Sequence, residues 1–365
     1  MIYSLLFHLI RAALWNHPVE VGQLPPNVFA KLVRISNKQT VQGLVMKALI
    51  DNHVKLEKHN AVECLVILKD VEKHNDEANA AVRNLCALLS KENLPFLIVK
   101  GQTLLPLYPQ YVYRVSGDVD FFCPPSSFEK TKELLRQQWN IEWHTDEDEG
   151  FQHYACEHKG IEYELHFCLK KFFSRRSQGR FDALIETAQY ETRVIDGVNV
   201  PVLPPHLEIA YTFLHMYHHL VNKGVSLRHF CDMAVLLHHG GYDAKKLREV
   251  LRLVDHEKAF NAVGAVLVDV LGLPEEEFPF SLTQKDYRFV KPLMYVVLKH
   301  GNFGFYGNKT KLRSGWKYYW ESFSHKMRLQ RNFYVLAPRE TRNTILRSIP
   351  QKIGLAVRRQ GTKKE

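Results

Sequence analysis

Residues 114 to 123 read Arg-Val-Ser-Gly-Asp-Val-Asp-Phe-Phe-Cys, and the two aspartates in that run constrain the chain more than any other feature. β-Branched and aromatic residues favour an extended strand. Strand side chains alternate with period two, so Asp118 and Asp120 project from one face with Cα atoms about 6.5–7 Å apart. Carboxylates that converge to about 4 Å repel by about 4 kcal/mol at an effective dielectric of 20. Either the strand ends in solvent and both acids are hydrated, or a small hard cation of the Mg²⁺ kind compensates them. Such an ion keeps its other positions for water and substrate phosphates.

The flanking residues bear on that choice. Leu97-Ile98-Val99 is a short apolar strand running into Lys100-Gly101, and Gln102 to Leu105 can form a helical turn before Pro106 and Pro109 limit it. A strand that turns at glycine into a helix start presents free backbone N–H groups, a ready anion site to which Lys100 adds a cation. Downstream, Phe151 to Glu157 and Ile161 to Phe167 read as a hairpin around His158-Lys159-Gly160. On its second strand Glu162, Glu164 and His166 share one face, opposite Ile161, Tyr163, Leu165 and Phe167. That polar face is either the solvent side of an edge hairpin or the source of a third acid. In the second case Glu164 is a metal ligand or the base for an attacking hydroxyl.

Lys-Gly-x-Thr-x-Leu at 100–105, Arg114 four residues ahead of Asp-x-Asp, and Glu164-Leu165-His166 together resemble the DNA polymerase β superfamily of nucleotidyltransferases. The branch called uncharacterised nucleotidyltransferases is most similar, and abortive-infection toxins with a Lys-Gly-Gly-Thr motif are more distantly so. The core likeness runs from Leu94 to Phe167, with a looser one to about His239. The resemblance implies that Asp118, Asp120 and Glu164 are catalytic and bind one or two Mg²⁺ ions. It implies that Lys100, Gly101, Gln102, Thr103, Arg114 and Ser116 hold nucleotide phosphates. A similar His-rich helix followed by Leu-Arg and Asp in that branch implies that His215, Arg228 and Asp232 face the cleft, and His166, beside Glu164, is a further candidate for it. The chain departs from the wider superfamily in having Gly-Gln for Gly-Ser and sixteen residues between Gly101 and Asp118.

The implied reaction moves a nucleotidyl group from a nucleoside triphosphate, ATP among the candidates, to a hydroxyl of a small molecule, sugar or protein. Two alternatives stand beside it: transfer to an RNA or tRNA end, and nucleotide or partner binding without chemistry.

At 365 residues the chain is long enough for two or three domains. Six cysteines show no Cys-x-x-Cys pairing, which reads as reduced core thiols and a cytoplasmic setting. Ile2 to Trp15 is apolar but carries His8 and Arg11, and it is too short to span a bilayer; a docked amphipathic helix is expected. The net charge of +10 is uneven. From Lys309 to Glu365, fifteen Lys and Arg face Glu321, Glu340 and Glu365, a net of +12, so residues 1–308 sum to −2. The basic region binds RNA, lies on an anionic surface, or is a solvated tail. Trp316, Tyr318, Tyr319, Trp320 and Phe323 interleave with its cations and form either a stacking surface or a helical core face.

The expected fold class is α+β, a small mixed sheet flanked by helices. A helical region covers 1–93, with helices at Val28–Ile35, Thr40–Ile50 and Ala61–Leu89. A nucleotidyltransferase core covers 94–203, a helical domain 204–308, and a basic region 309–365. Within the core, Ser126 and Glu129 suggest a capping box before a helix from Ser127 to Gln138. Ile141–His144 is a further short strand, and Val194–Val202, split by Asp196-Gly197, is a hairpin closing the sheet. Asp146 to Glu149 are four consecutive acids that cannot all face one ion. Lys170, Lys171, Arg175, Arg176 and Arg180 either line a polyanion's path or form a solvated face. Pro205 suits the first turn of a helix over Leu207–Val221, where His215 and His219 are four apart without the Glu or Cys that zinc motifs add. Ser226 can cap a second helix, Leu227–His238, on which Arg228 and Asp232 are placed to pair.

Overall fold

The structure, a computed structural model, describes residues 2–145, 152–302, 316–343 and 345–346. Four helices lead: α1 (Ile2–Trp15), α2 (Pro26–Lys38), α3 (Gln42–Asp51) and the long α4 (Lys58–Lys91). Their apolar residues recur three and four apart, and α1 docks through Leu6, Leu9 and Ile10, all fully buried. Proline at position 26 opens α2, where its missing N–H costs nothing. α4 ends ahead of Pro95, and the chain enters a four-stranded sheet.

The sheet consists of β1 (Leu97–Ile98), β2 (Val119–Phe122), β3 (His153–His158) and β4 (Ile161–His166), in the order β1-β2-β4-β3. β1 runs antiparallel to β2, β2 parallel to β4, and β3 antiparallel to β4. Helix α5 (Phe128–Trp139) lies between β2 and β3 in the chain. Strand alternation divides the sheet. Ile98, Val119, Phe121, Tyr163 and Leu165 pack with Val82, Leu85 and Leu89 of α4 and with Phe128 and Leu135 of α5 in one core. Leu97 and Phe122, on the opposite face, join a second core built largely by the N- and C-terminal helices. Asp120, Glu164 and His166 share that second face.

After the sheet come α6 (Arg175–Glu186), the strands β5 (Glu191–Ile195) and β6 (Val198–Val202), and then α7 (Pro205–Asn222) and α8 (Leu227–His239). α9 (Ala244–Leu253), α10 (Glu257–Asp269), the single turn α11 (Gln284–Tyr287), α12 (Val290–His300) and α13 (Trp316–Asn332) complete the described elements. α7 is buried on nearly every side, from Leu207 and Ala210 to Tyr217 and Leu220, as expected of a helix that packs on several neighbours. The α+β class with a small mixed sheet is therefore the architecture observed.

Local readings differ from the structure in four places. The β5–β6 hairpin forms its own two-stranded sheet instead of closing the main one. Ile141–His144 makes only an isolated bridge, between His144 and Ala155. No capping box precedes α5: Ser127 stands at the cap position, and its hydroxyl donates to Pro95 O at 2.8 Å. Ser226 occupies the cap position of α8, but its hydroxyl meets Thr40 Oγ1 at 2.7 Å. In the last two cases the hydroxyl is turned to a tertiary partner and makes no capping bond with the local backbone. The acidic run 146–149, residues 309–315 and residues 347–365 lie outside the described residues, as do the side chains of Trp316, Tyr318, Tyr319 and Trp320.

Candidate active site

β2 and β4 carry the acids. Their parallel register sets Asp120 opposite Glu164 and Phe122 opposite His166. Asp118 stands just before β2, and its carboxylate joins those of Asp120 and Glu164 in a group whose oxygens all lie within 4.8 Å of one another. Burial, and then the charge of Asp120, push the Asp118 carboxyl above its ordinary range. Burial would raise Glu164 too, but its hydrogen bond with His166 and the charge of Lys100 hold it below that range. Three hard oxygen donors this close, on rigid strands, are the donor set that a Mg²⁺-type ion takes. Glu162 is the less buried neighbour along β4, raised by burial and by Asp118.

The loop after β1 supplies the cation. The backbone ladder ends with Val99 N donating to Asp120 O at 3.0 Å. Lys100 then adopts φ +56° and Gly101 φ +38°, a left-handed turn that glycine accepts readily and lysine only under constraint. A seven-residue 3₁₀ helix follows over Gly101–Leu107. The Lys100 side chain is buried, with Nζ 2.6 Å from Asp120 Oδ1, 3.3 Å from His215 Nδ1 and 5.9 Å from the centre of the Tyr211 ring. Burial alone would lower its pKa, but the Asp120 charge outweighs it and the ammonium is held charged. The expectation of Lys100 as a phosphate ligand thus meets a lysine already paired with Asp120.

The turn is clamped from beneath. Thr103 Oγ1 lies 2.8 Å from Lys100 O and 3.0 Å from Glu208 Oε1. Arg193 donates to both oxygens of Glu208 at 2.8 Å and to Thr103 O at 2.7 Å. Thr103 is therefore fully spent on structure. Gln102 and Ser116 are also buried, each with a side-chain atom, Nε2 and Oγ, lacking a hydrogen-bond partner among the described residues. None of the three belongs to the wall of the cleft.

A third layer comes from α8. Arg114 makes a two-pronged pair with Asp232, Nε to Oδ1 at 2.7 Å and Nη2 to Oδ2 at 2.8 Å, and Tyr108 donates to the same Oδ1 at 2.7 Å. The remaining nitrogen, Arg114 Nη1, is buried and has no partner among the described residues. Asp232 is held below the usual carboxylate range because Arg114 outweighs the burial that would raise it. Arg228, expected to pair with Asp232 along the helix, instead donates from Nη1 to Val115 O at 3.0 Å. Burial, then Arg114, lower its pKa.

These layers enclose a cleft of about 290 Å³. Asp118, Asp120, Glu162 and Glu164 supply its acids, and Lys100, Arg114 and Arg228 its cations, beside Gly101. Its far wall is α7 and the start of α8, with Thr212, His215, His218, His219 and His229. Burial, and for His215 the adjacent Lys100, keep the pKa values of His215, His219 and His229 far down, His229 to about 3. These imidazoles are neutral near pH 7. The expected cleft residues His215, Arg228 and Asp232 are all on this wall, while His166, on β4, does not line the cleft and lies 2.8 Å from Asp120 Oδ1. His215 and His219 do face each other, ring centres 4.5 Å apart.

The sequence reading missed His153, Thr212, His229 and the Arg193–Glu208 clamp. His153 alone left a usable trace, since it alternates with Ala155 and Glu157 on a strand whose partner carries Glu164.

Comparison with known proteins follows the same line. The family model of the uncharacterised nucleotidyltransferases matches residues 25–272. No curated protein gives a significant match. Among solved structures, the chain is similar to an antigenic nucleotidyltransferase-like protein from Paracoccidioides brasiliensis, at 16% identity and a TM-score of 0.35, over 56% of this chain and 97% of that one. It is also similar to the Megavirus polyadenylate synthase, at 12% identity and a TM-score of 0.30, over 65% of this chain and 53% of that one. The strand pair that carries three acids, the glycine turn facing them and the family match across the core lead to one assignment: the chain belongs to the uncharacterised nucleotidyltransferase family and is a nucleotidyltransferase.

Proposed function

We propose that the chain transfers a nucleotidyl group from a nucleoside triphosphate to a hydroxyl acceptor with the help of Mg²⁺. The observation that carries this reading is the cleft whose wall holds Asp118, Asp120 and Glu164 together with Gly101, Arg114 and Arg228. A bound divalent ion would neutralise the carboxylates and draw triphosphate oxygens to them. Arg114 Nη1, buried without a partner among the described residues, is suited to a phosphate oxygen, because an unsatisfied guanidinium nitrogen in a dry site is costly until an anion meets it. Asp232 and Tyr108 fix the plane of that guanidinium. In the reaction the acceptor oxygen bonds to the α-phosphorus as the bond to pyrophosphate breaks, and the hydroxyl proton passes to a carboxylate of the cluster. Positioning and charge neutralisation supply most of the rate.

A specific contact favours a second reading, nucleotide binding without transfer. The Lys100 ammonium, 2.6 Å from Asp120, supplies in this structure the charge that a metal would otherwise bring. The acceptor is read as a small molecule, sugar or protein, with an RNA end as the alternative if the basic residues 309–365 engage nucleic acid. Six free cysteines, five of them buried, fit a reducing, cytoplasmic setting. Among the described residues no helix is long and apolar enough to cross a membrane.

The test is thermal unfolding with each of the four ribonucleoside triphosphates, with and without Mg²⁺, beside Asp118→Asn. Ligand at a hundred times its dissociation constant stabilises by about 2.7 kcal/mol, a shift of several degrees. A Mg²⁺-dependent shift with one nucleotide, lost in the variant, supports the transfer reading. A shift that ignores Mg²⁺ favours binding without chemistry, and no shift with any nucleotide overturns both.

A further inference from the structure

Glu164 has two neighbours that the three-carboxylate group leaves unused. His153 Nε2 lies 3.4 Å from Glu164 Oε1, and His166 Nε2 lies 3.3 Å from Oε2. The antiparallel pairing of β3 and β4 sets His153 opposite His166, with Glu164 two residues back on the same face. Two hydrogen-bonded strands therefore hold all three donors, and their ligand atoms lie within 4.8 Å of one another. Two atoms sharing one tetrahedral ion at about 2.0–2.1 Å stand about 3.3–3.4 Å apart. Each imidazole stands at that spacing from one oxygen of Glu164, His153 from Oε1 and His166 from Oε2.

We propose that His153, Glu164 and His166 form a second cation site, for a zinc-type transition ion, joined to the three-carboxylate group through Glu164. The donor chemistry distinguishes the two. Mg²⁺ prefers oxygen ligands, whereas imidazole nitrogen selects Zn²⁺ and its neighbours in the first transition row. Two histidines and one glutamate also form the donor set of zinc centres that keep a coordination position open for water or substrate. His166 Nε2 is 2.8 Å from Asp120 Oδ1 as well, so an ion between the ring and Glu164 takes the place of the proton these groups share. This site needs only the three side chains and stands whether or not the chain transfers nucleotides.

Visible spectroscopy with Co²⁺ on the tag-free full-length chain, stripped with a chelator and held in excess Mg²⁺, tests the assignment. One Co²⁺ per chain is expected, with the absorption of a low-symmetry imidazole site and stoichiometric displacement by Zn²⁺. His153→Ala and His153→Gln should each weaken Co²⁺ binding at least tenfold, and Asp118→Asn should change it less than twofold. Binding that survives both His153 variants, disappears in Asp118→Asn or yields to Mg²⁺ places the ion on the carboxylates and overturns the proposal. Absence of Co²⁺ binding overturns it too. Anomalous scattering at the zinc edge, on zinc-soaked crystals of the unaltered chain, gives an answer that does not depend on variants folding. A peak between the two rings and Glu164 supports the site, and a peak elsewhere, or none, overturns it.

Discussion

Asp120 on β2 and Glu164 on β4 stand opposite one another in a parallel strand pair, and the Lys100 ammonium closes on Asp120 from the loop after β1. Asp120 is thus unequal to the neighbouring Asp118. Asp120 holds a buried lysine in place; Asp118, at the strand's start, does not carry that duty.

This inequality separates two variants of the same chemistry. Asp118→Asn and Asp120→Asn should each lower transfer by about 10³-fold or more, because the metal's contribution of several kcal/mol is lost. Only Asp120→Asn should also unfold early. It strands the buried Lys100 charge, which costs about 3–5 kcal/mol. Paired activity and thermal-unfolding measurements check this, and full activity in both variants refutes the site.

Arg114 and Asp232 make the buried two-pronged pair that connects the loop before β2 to α8. Asp232→Asn should destabilise the chain by about 3–5 kcal/mol, since one partner of a buried ion pair remains uncompensated. Arg114→Lys should not rescue function, because a lysine cannot bond both carboxylate oxygens in one plane and still offer a third nitrogen to the cleft. Denaturant titration and nucleotide binding of the two variants are the measurements.

Gly43 on α3 faces the segment that leads into Arg114. In an open helix Gly→Ala stabilises by about 1 kcal/mol. Here a Cβ would overlap the Tyr113 carbonyl oxygen, and backbone cannot yield as a flexible side chain does. Gly43→Ala should therefore destabilise, by about 1–3 kcal/mol. A stabilised variant in calorimetry would contradict the packing described.

His256 is buried beside Phe213 and Tyr217, with Nδ1 2.6 Å from Val254 O. Burial brings its pKa down to about 4, whereas the unfolded chain has the ordinary value near 6.5. A folded pKa below the unfolded one contributes stability that is whole above pH of about 6.5 and is lost as pH falls toward 4. The loss between pH 7.5 and 4.5 is about 2–3 kcal/mol. His256→Gln should flatten the pH dependence of stability by that amount, whatever it does to stability at pH 7.5. An unchanged slope in urea titrations at the two pH values would count against it.

Local pattern determined much of this protein. Apolar residues three and four apart placed α1 to α4 and α7 to α8, because a helix that must bury one stripe can do so only at that period. The same reasoning with period two put Asp118 and Asp120 on one side of a strand, and Glu162, Glu164 and His166 on one side of another. Period says which face a residue occupies and nothing about which strand lies beside it. Register is a relation between distant segments, so only the tertiary structure chose Glu164 over Glu162 as the partner of Asp120 and brought His153 across to His166. It also spent Thr103 on Glu208, turned Lys100 onto Asp120 and drew Asp232 away from Arg228 to Arg114. A buried polar group must find a partner wherever the packed chain offers one, and those partners lie from twenty to more than a hundred residues away, where no local spacing can mark them.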